Sequence, residues 1–100
     1  MKIVAVTACP TGIAHTYMAA ARLEKMAKEL GHEIKVETQG AMGIENALSE
    51  SDIRQADAVI FAVDIKVEGR ERFKNAQIIE APLQEAIKNP RGLFERIPGR

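Results

Sequence analysis

Ile3-Val4-Ala5-Val6-Thr7-Ala8-Cys9-Pro10-Thr11-Gly12-Ile13-Ala14-His15-Thr16 passes from a continuous apolar run into a glycine-bearing loop and then into a helical pattern. The run Ile3 to Val6 has no polar interruption, as expected of a strand covered on both faces. It predicts a central strand of a parallel sheet. The loop spans Ala8 to Ala14. A helix is predicted over His15–Leu30, where Ala19, Leu23, Met26, Ala27 and Leu30 recur at helical spacing as a buried stripe. Arg22, Lys25, Lys28 and Glu29 fall largely on the opposite side, and Gly31 is placed to end the helix in a left-handed cap.

Glu33-Ile34-Lys35-Val36-Glu37-Thr38 alternates polar and apolar residues, which predicts a strand with one wet face at a sheet edge. Gln39 to Gly43 reads as a turn, Ile44 to Leu48 as a short helical piece, and Ser51 as a cap for a turn over Asp52–Gln55. Ala58 to Val63 is a second continuous apolar run and a second central strand. After the charged connection Asp64–Asn75 comes a short strand, Ala76–Glu80. Pro82 then suits the first turn of a helix over Leu83–Lys88. Residues 1–88 are read as the domain. Asn89–Arg100, with Pro90, Gly92, Pro98 and Gly99, reads as a C-terminal tail or linker.

Strands alternating with helices give an α/β class: an open four-stranded parallel sheet of spatial order 2-1-3-4 with helices on both faces. In such a fold the ligand lies beyond the carboxyl ends of the strands, at the switch point beside the first strand. Cys9 lies there.

One hundred residues, 46% hydrophobic and 28% charged with zero formal net charge, describe one ordinary globular domain. A nucleic-acid partner is not expected, because Lys and Arg show no clustered excess. No apolar run approaches the roughly 20 residues that span a bilayer. The start, Met1 to Val6, is too short for a secretory signal and reads as a strand. A single cysteine excludes an internal disulfide and suits a reducing compartment. One cysteine with His15 and His32 makes no metal set, so neither a metal nor another cofactor is expected.

A lone cysteine is usually a small buried hydrophobe. One at a strand-to-helix corner, followed by glycine and hydroxyls, asks for another explanation. A helix amino terminus presents unpaired N–H groups and a partial charge of about +0.5, so it holds an anion without an arginine. The same field favours thiolate over thiol and makes the sulfur a nucleophile. Cys9 is therefore the candidate catalytic residue. Pro10, Thr11, Gly12, Ile13, Ala14, His15 and Thr16 form the candidate phosphate-binding loop. Gly12 lets the backbone bend toward a phosphate, Thr11, His15 and Thr16 add donors, and Pro10 stiffens the turn. In the Cys-x5-Arg loops of tyrosine phosphatases an arginine occupies the sixth position after the cysteine. Here that position is His15, so the bidentate clamp is missing. A phosphocysteine held by amides, hydroxyls and one imidazole should wait for an acceptor. A cysteine-dependent phosphatase or arsenate reductase-like enzyme, and a non-catalytic phosphate-sensing module, are the alternatives.

The stretch Ala8 to Ala20 resembles the signature of the enzyme IIB component of the bacterial phosphoenolpyruvate-dependent sugar phosphotransferase system, fructose class. Val36-Glu37-Thr38-Gln39-Gly40, Ala56 to Ala62 and Arg72-Phe73 resemble it too, and the likeness covers residues 1 to 88. The resemblance implies a cytoplasmic phosphoryl carrier working at the inner face of the cell membrane. A phosphohistidine of enzyme IIA would load Cys9. Cys9 would then pass the phosphoryl group to fructose in the membrane enzyme IIC, giving fructose phosphate. Mannose or a fructose-like sugar stays open as the substrate, as does whether the chain is free-standing or cut from a longer one. Asp64, Glu68 to Arg72, Met42, Gly40 and Gly43 follow strand ends on the Cys9 side and are candidates for the rim that partners cover.

Overall fold

A computed structural model describes residues 1–10 and 14–98. Strand β1 (Lys2–Ala8) leads to helix α1 (Ala14–Glu29), then β2 (Glu33–Gly40), β3 (Gly43–Glu45) and α2 (Glu50–Gln55). β4 (Ala58–Val63), a 3-10 turn (Arg70–Phe73), β5 (Ile78–Ala81), α3 (Leu83–Lys88) and α4 (Pro90–Glu95) complete the chain. The sheet order is β3-β2-β1-β4-β5. β1 pairs in parallel with both β2 and β4, and β4 with β5.

The α/β class and the inner order match the sequence reading. The count of four strands and the all-parallel character do not. β3 is a fifth strand, antiparallel to β2 and joined to it by a two-residue loop, with Gly40 opposite Gly43. Ile44 and Glu45 therefore lie in a strand and not in a helical piece. Asn46, at a φ of 56°, ends β3, and its side-chain amide donates to the Val36 carbonyl at 2.9 Å. Three exposed residues carry no legible period, so pattern alone could not separate strand from helix here.

Alternation along β1 feeds two cores. Ile3 and Ala5 face α1, α3 and α4, packing with Ala19, Leu23, Ile60, Leu83 and Phe94. Val4 and Val6 face the other side, with Leu48, Ile53, Phe61, Val67 and Phe73. Alanines at positions 19, 20 and 27 let α1 lie close on the sheet, while Met26 and Leu30 are half-buried at its margin. Gly31, at a φ of 79°, ends α1. Its N–H donates to the Lys28 carbonyl and that of His32 to the Ala27 carbonyl, which satisfies two of the open acceptors in the last turn of the helix.

Two local expectations change. Ser49, not Ser51, caps α2. Its hydroxyl accepts from the Asp52 N–H, and the Asp52 carboxylate accepts from the Ser49 N–H, a reciprocal capping box. Ser51 sits inside the helix and accepts from the Gln55 side chain. The segment read as a loose tail carries α4, capped by Asn89 with Pro90 in its first turn. Leu93, Phe94 and Ile97 are buried in the α1-side core. Turn-forming residues suggested a linker, but Leu93, Phe94 and Ile97 carry enough apolar surface to dock it.

Phe94→Ala is expected to cost about 3 kcal/mol or more in urea unfolding, as for a fully buried aromatic, whereas a solvated tail would show no loss.

Candidate functional site

Cys9 is the first residue beyond β1, between the carboxyl ends of β2 and β4. Its N–H donates to the Gln39 carbonyl at 3.2 Å, continuing the ladder in which Ala8 faces Gln39. On the other side the Asp64 N–H donates to the Ala8 carbonyl at 2.9 Å. The backbone entering Cys9 is thus held from both neighbouring strands. Asp64 also accepts from the Leu83 N–H through its carboxylate, which ties the end of β4 to the start of α3.

The chain crosses here from one layer to the other. The β1-to-β2 connection runs through α1 on one face, and the β2-to-β4 connection runs back past β1 through α2 on the opposite face. That reversal opens the crevice beyond the strand ends. Cys9 is only 7% exposed and packs with the α1-side core, so it lies at the base of the rim and not upon it.

Of the other predicted site residues, Pro10 is exposed directly after Cys9. Thr11, Gly12 and Ile13 lie outside the described residues. Ala14 and His15 are exposed in the first turn of α1. Thr16 is only 2% exposed, and its carbonyl accepts from the buried Thr7 hydroxyl at 3.1 Å. That bond clips the end of β1 to the start of α1 beneath the loop. The first turn of α1 holds no acidic side chain, so nothing there cancels the partial positive charge of the helix terminus. Among the described residues no group of three His, Cys, Asp or Glu side chains is placed to hold a metal ion.

The exposed large apolar side chains collect at this end. Tyr17 and Met18 stand in the early turns of α1, Met42 and Ile44 in the β2–β3 hairpin, and Ile65 just past β4. Met42 is 65% exposed. The Tyr17 hydroxyl donates to the Glu45 carboxylate, joining α1 to the hairpin. This bond, with smaller contributions from burial and the Glu45 charge, raises the Tyr17 hydroxyl above its ordinary pKa.

Pattern reading missed the buried polar group behind the crevice. Alternation along β2 implied that Glu37 points to water, but Glu37 has no exposed surface and Gln39 is 3% exposed. The Arg72 guanidinium supplies the reason: its two terminal nitrogens reach both Glu37 oxygens at 2.8 and 2.9 Å. Burial pushes the Glu37 carboxyl upward. Hydrogen bonds from Arg72, the Leu48 N–H and Gln39 outweigh it and hold the group below its ordinary value of 4.5. The partner lies 35 positions away, so no local signal announced it.

A family model described as the PTS system lactose/cellobiose specific IIB subunit matches residues 4–96. The chain belongs to that family. This IIB domain is 48% identical over 96 residues to the PTS system fructose-like EIIB component 1 of Escherichia coli K12, covering 96% of this chain and 89% of that protein. It is 53% identical over 95 residues to the fructose-specific EIIABC component of Bacillus subtilis strain 168, covering 95% of this chain but 15% of the relative. The solution structure of an enzyme IIB subunit from Escherichia coli K12 superposes with a TM-score of 0.91 at 48% identity, covering 96% of this chain and 89% of that one. A IIB domain is a component of a sugar phosphotransferase relay. No helix among the described residues is long and apolar enough to cross a membrane.

Acid should expose the buried pair of the IIB domain. The folded pKa of Glu37 lies below its ordinary value, so its contribution to stability is present above pH 4.5 and lost as pH falls through the folded value. Asp52, held at about 2 by the Ser49 N–H and by Lys35, acts in the same direction. Glu37→Gln should therefore lower the urea midpoint at neutral pH and flatten, without abolishing, its fall as pH drops below the ordinary carboxyl value of 4.5. An unchanged acid limb would contradict the assignment.

Proposed function

We propose that this IIB domain carries a phosphoryl group on Cys9 between a phosphohistidine of enzyme IIA and a sugar bound by the membrane enzyme IIC. Fructose or a fructose-like sugar is the acceptor favoured by the names of the relatives, and fructose phosphate is then the product. The observation that carries the reading is Cys9 at the carboxyl end of the central strand, at the switch point and before a helix whose first turn has no acid. Pro10 to Thr16 is the proposed cradle, with Thr11, Gly12 and Ile13 contributing by sequence and Ala14, His15 and Thr16 through the start of α1.

The chemistry divides into two displacements. The Cys9 thiolate attacks the phosphorus of the phosphohistidine. The S–P bond forms, the N–P bond breaks, and the departing imidazole takes up a proton. A sugar hydroxyl then attacks the same phosphorus. The O–P bond forms, the S–P bond breaks, the thiolate is returned, and the hydroxyl proton leaves to solvent or to a base of the acceptor site. Positioning and charge stabilisation matter most in such transfers. The helix terminus supplies charge stabilisation at Cys9 without an arginine that would also promote hydrolysis.

A carrier must release each partner in turn, so its contacts should be modest in area. The exposed Tyr17, Met18, Met42, Ile44 and Ile65 beside the crevice suit that demand: an apolar rim wide enough to bind, without the extent of a permanent interface. IIA and IIC would meet the same rim one after the other, at the inner face of the membrane.

Incubation with phosphoenolpyruvate, the general phosphotransferase proteins and IIA, followed by mass spectrometry, should find one phosphoryl group on Cys9 and none in Cys9→Ala. A label on His15 or His32 would refute the assignment. Rapid hydrolysis of p-nitrophenyl phosphate by the domain alone would favour a phosphatase.

A further inference from the structure

The buried polar group behind the crevice is satisfied to an unusual degree. Arg72 uses all five of its N–H donors: Nε to the Gly69 carbonyl, one terminal nitrogen to Glu37 and the Leu48 carbonyl, the other to Glu37 and the Glu68 carbonyl. Glu37 accepts four bonds, two from Arg72, one from the Leu48 N–H at 2.8 Å and one from Gln39 at 2.6 Å. Gln39 pairs with Glu68 in both directions, donating to its carbonyl at 3.0 Å and accepting from its N–H at 2.9 Å. Gly69, at a φ of 71°, is required there: a Cβ on it would stand 2.7 Å from Arg72 Nε.

Such a group is costly to bury, and apolar residues of similar volume usually stabilise a fold at least as well. What apolar packing lacks is direction. The bonds of this network to Gln39, Glu68 and Gly69 hold the end of β2 and the loop after β4, the two segments that flank Cys9. The 64–69 loop begins with the Asp64 N–H on the Ala8 carbonyl and ends with Glu68 on the Gln39 side chain. It therefore crosses behind β1 from the β4 side of Cys9 to the β2 side. Gln39 closes the circuit, because its own carbonyl receives the Cys9 N–H.

We propose that Glu37, Arg72 and Gln39 are positioning residues for Cys9: they lock the end of β2 and the loop after β4 into one frame that holds the cysteine in a single orientation. The proposal rests on Cys9 as the phosphoryl carrier. Loosening the frame leaves the two cores intact but lets Cys9 sample orientations from which neither displacement is in line. Turnover falls while partner affinity, set by the exposed rim, does not.

The test compares Arg72→Lys and Gln39→Met with Asp52→Ala, which weakens the α2 cap but removes no bond to Glu37, Arg72 or Gln39. Backbone amide exchange at Cys9 and steady-state phosphoryl transfer from phosphorylated IIA are measured on folded protein. Both positioning variants should speed Cys9 amide exchange by about tenfold. They should lower kcat by about tenfold, with KM for phosphorylated IIA held within about twofold. Asp52→Ala should change neither. Wild-type exchange and kcat in both variants would overturn the proposal, as would an equal loss in Asp52→Ala. Should Arg72→Lys fail to fold, Gln39→Met decides by the same readouts, since it keeps the ion pair. If the wild-type protein carries its phosphate elsewhere than on Cys9, the functional reading fails, while amide exchange still reports whether the frame holds the cysteine.

Discussion

The burial of β1 on both faces, between two parallel neighbours, is the constraint on which everything else rests. Ile3, Val4, Ala5 and Val6 leave almost no surface to water. They can do so only if helices cover both sides and if β2 and β4 take up every backbone hydrogen bond. Those demands dictate crossovers on opposite faces, and these in turn create the crevice at the carboxyl end of β1. Cys9 stands there because it is the residue at which the constraint ends. The site follows from how a buried strand must be packed.

Much of this was legible in order of sequence. Continuous apolar runs at Ile3–Val6 and Ala58–Val63 announced the two central strands, and the spacing of Ala19, Leu23 and Ala27 announced α1. Gly31 marked its end, because glycine enters the left-handed cap without the steric cost of a Cβ. The thiol position was legible for the same reason: a strand-to-helix corner is a local event. Elements with little periodicity, or with periodicity masked by turn formers, were not. β3 has three residues, and α4 sits among prolines and glycines that read as a linker until Phe94 is seen in the core.

The Glu37–Arg72 pair marks a different boundary. Strand alternation correctly assigned Glu37 and Val36 to opposite faces. It could not say that the face of Glu37 would be dry, because dryness came from a guanidinium far along the chain and from the loop it draws over β2. Local pattern tells which side a residue points to. Only topology tells what is waiting on that side. Here that distant partner is also what separates a generic doubly wound sheet from one whose crevice is braced.

The short β3 hairpin has a consequence for how the domain behaves among neighbours. A parallel sheet ending at β2 would expose a row of free peptide groups able to recruit a strand from another molecule. β3 covers that row for three residues, and the Asn46 amide takes the Val36 carbonyl, the next acceptor along. At the far side β5 is four residues long and runs directly into Pro82, which cannot donate to a further strand. In a relative such as the EIIABC protein of Bacillus subtilis, the matching stretch is a small part of a longer chain. Modules tethered in that way meet one another at high local concentration. With both margins of its sheet blunted, this fold can touch a neighbouring module repeatedly without exchanging strands with it.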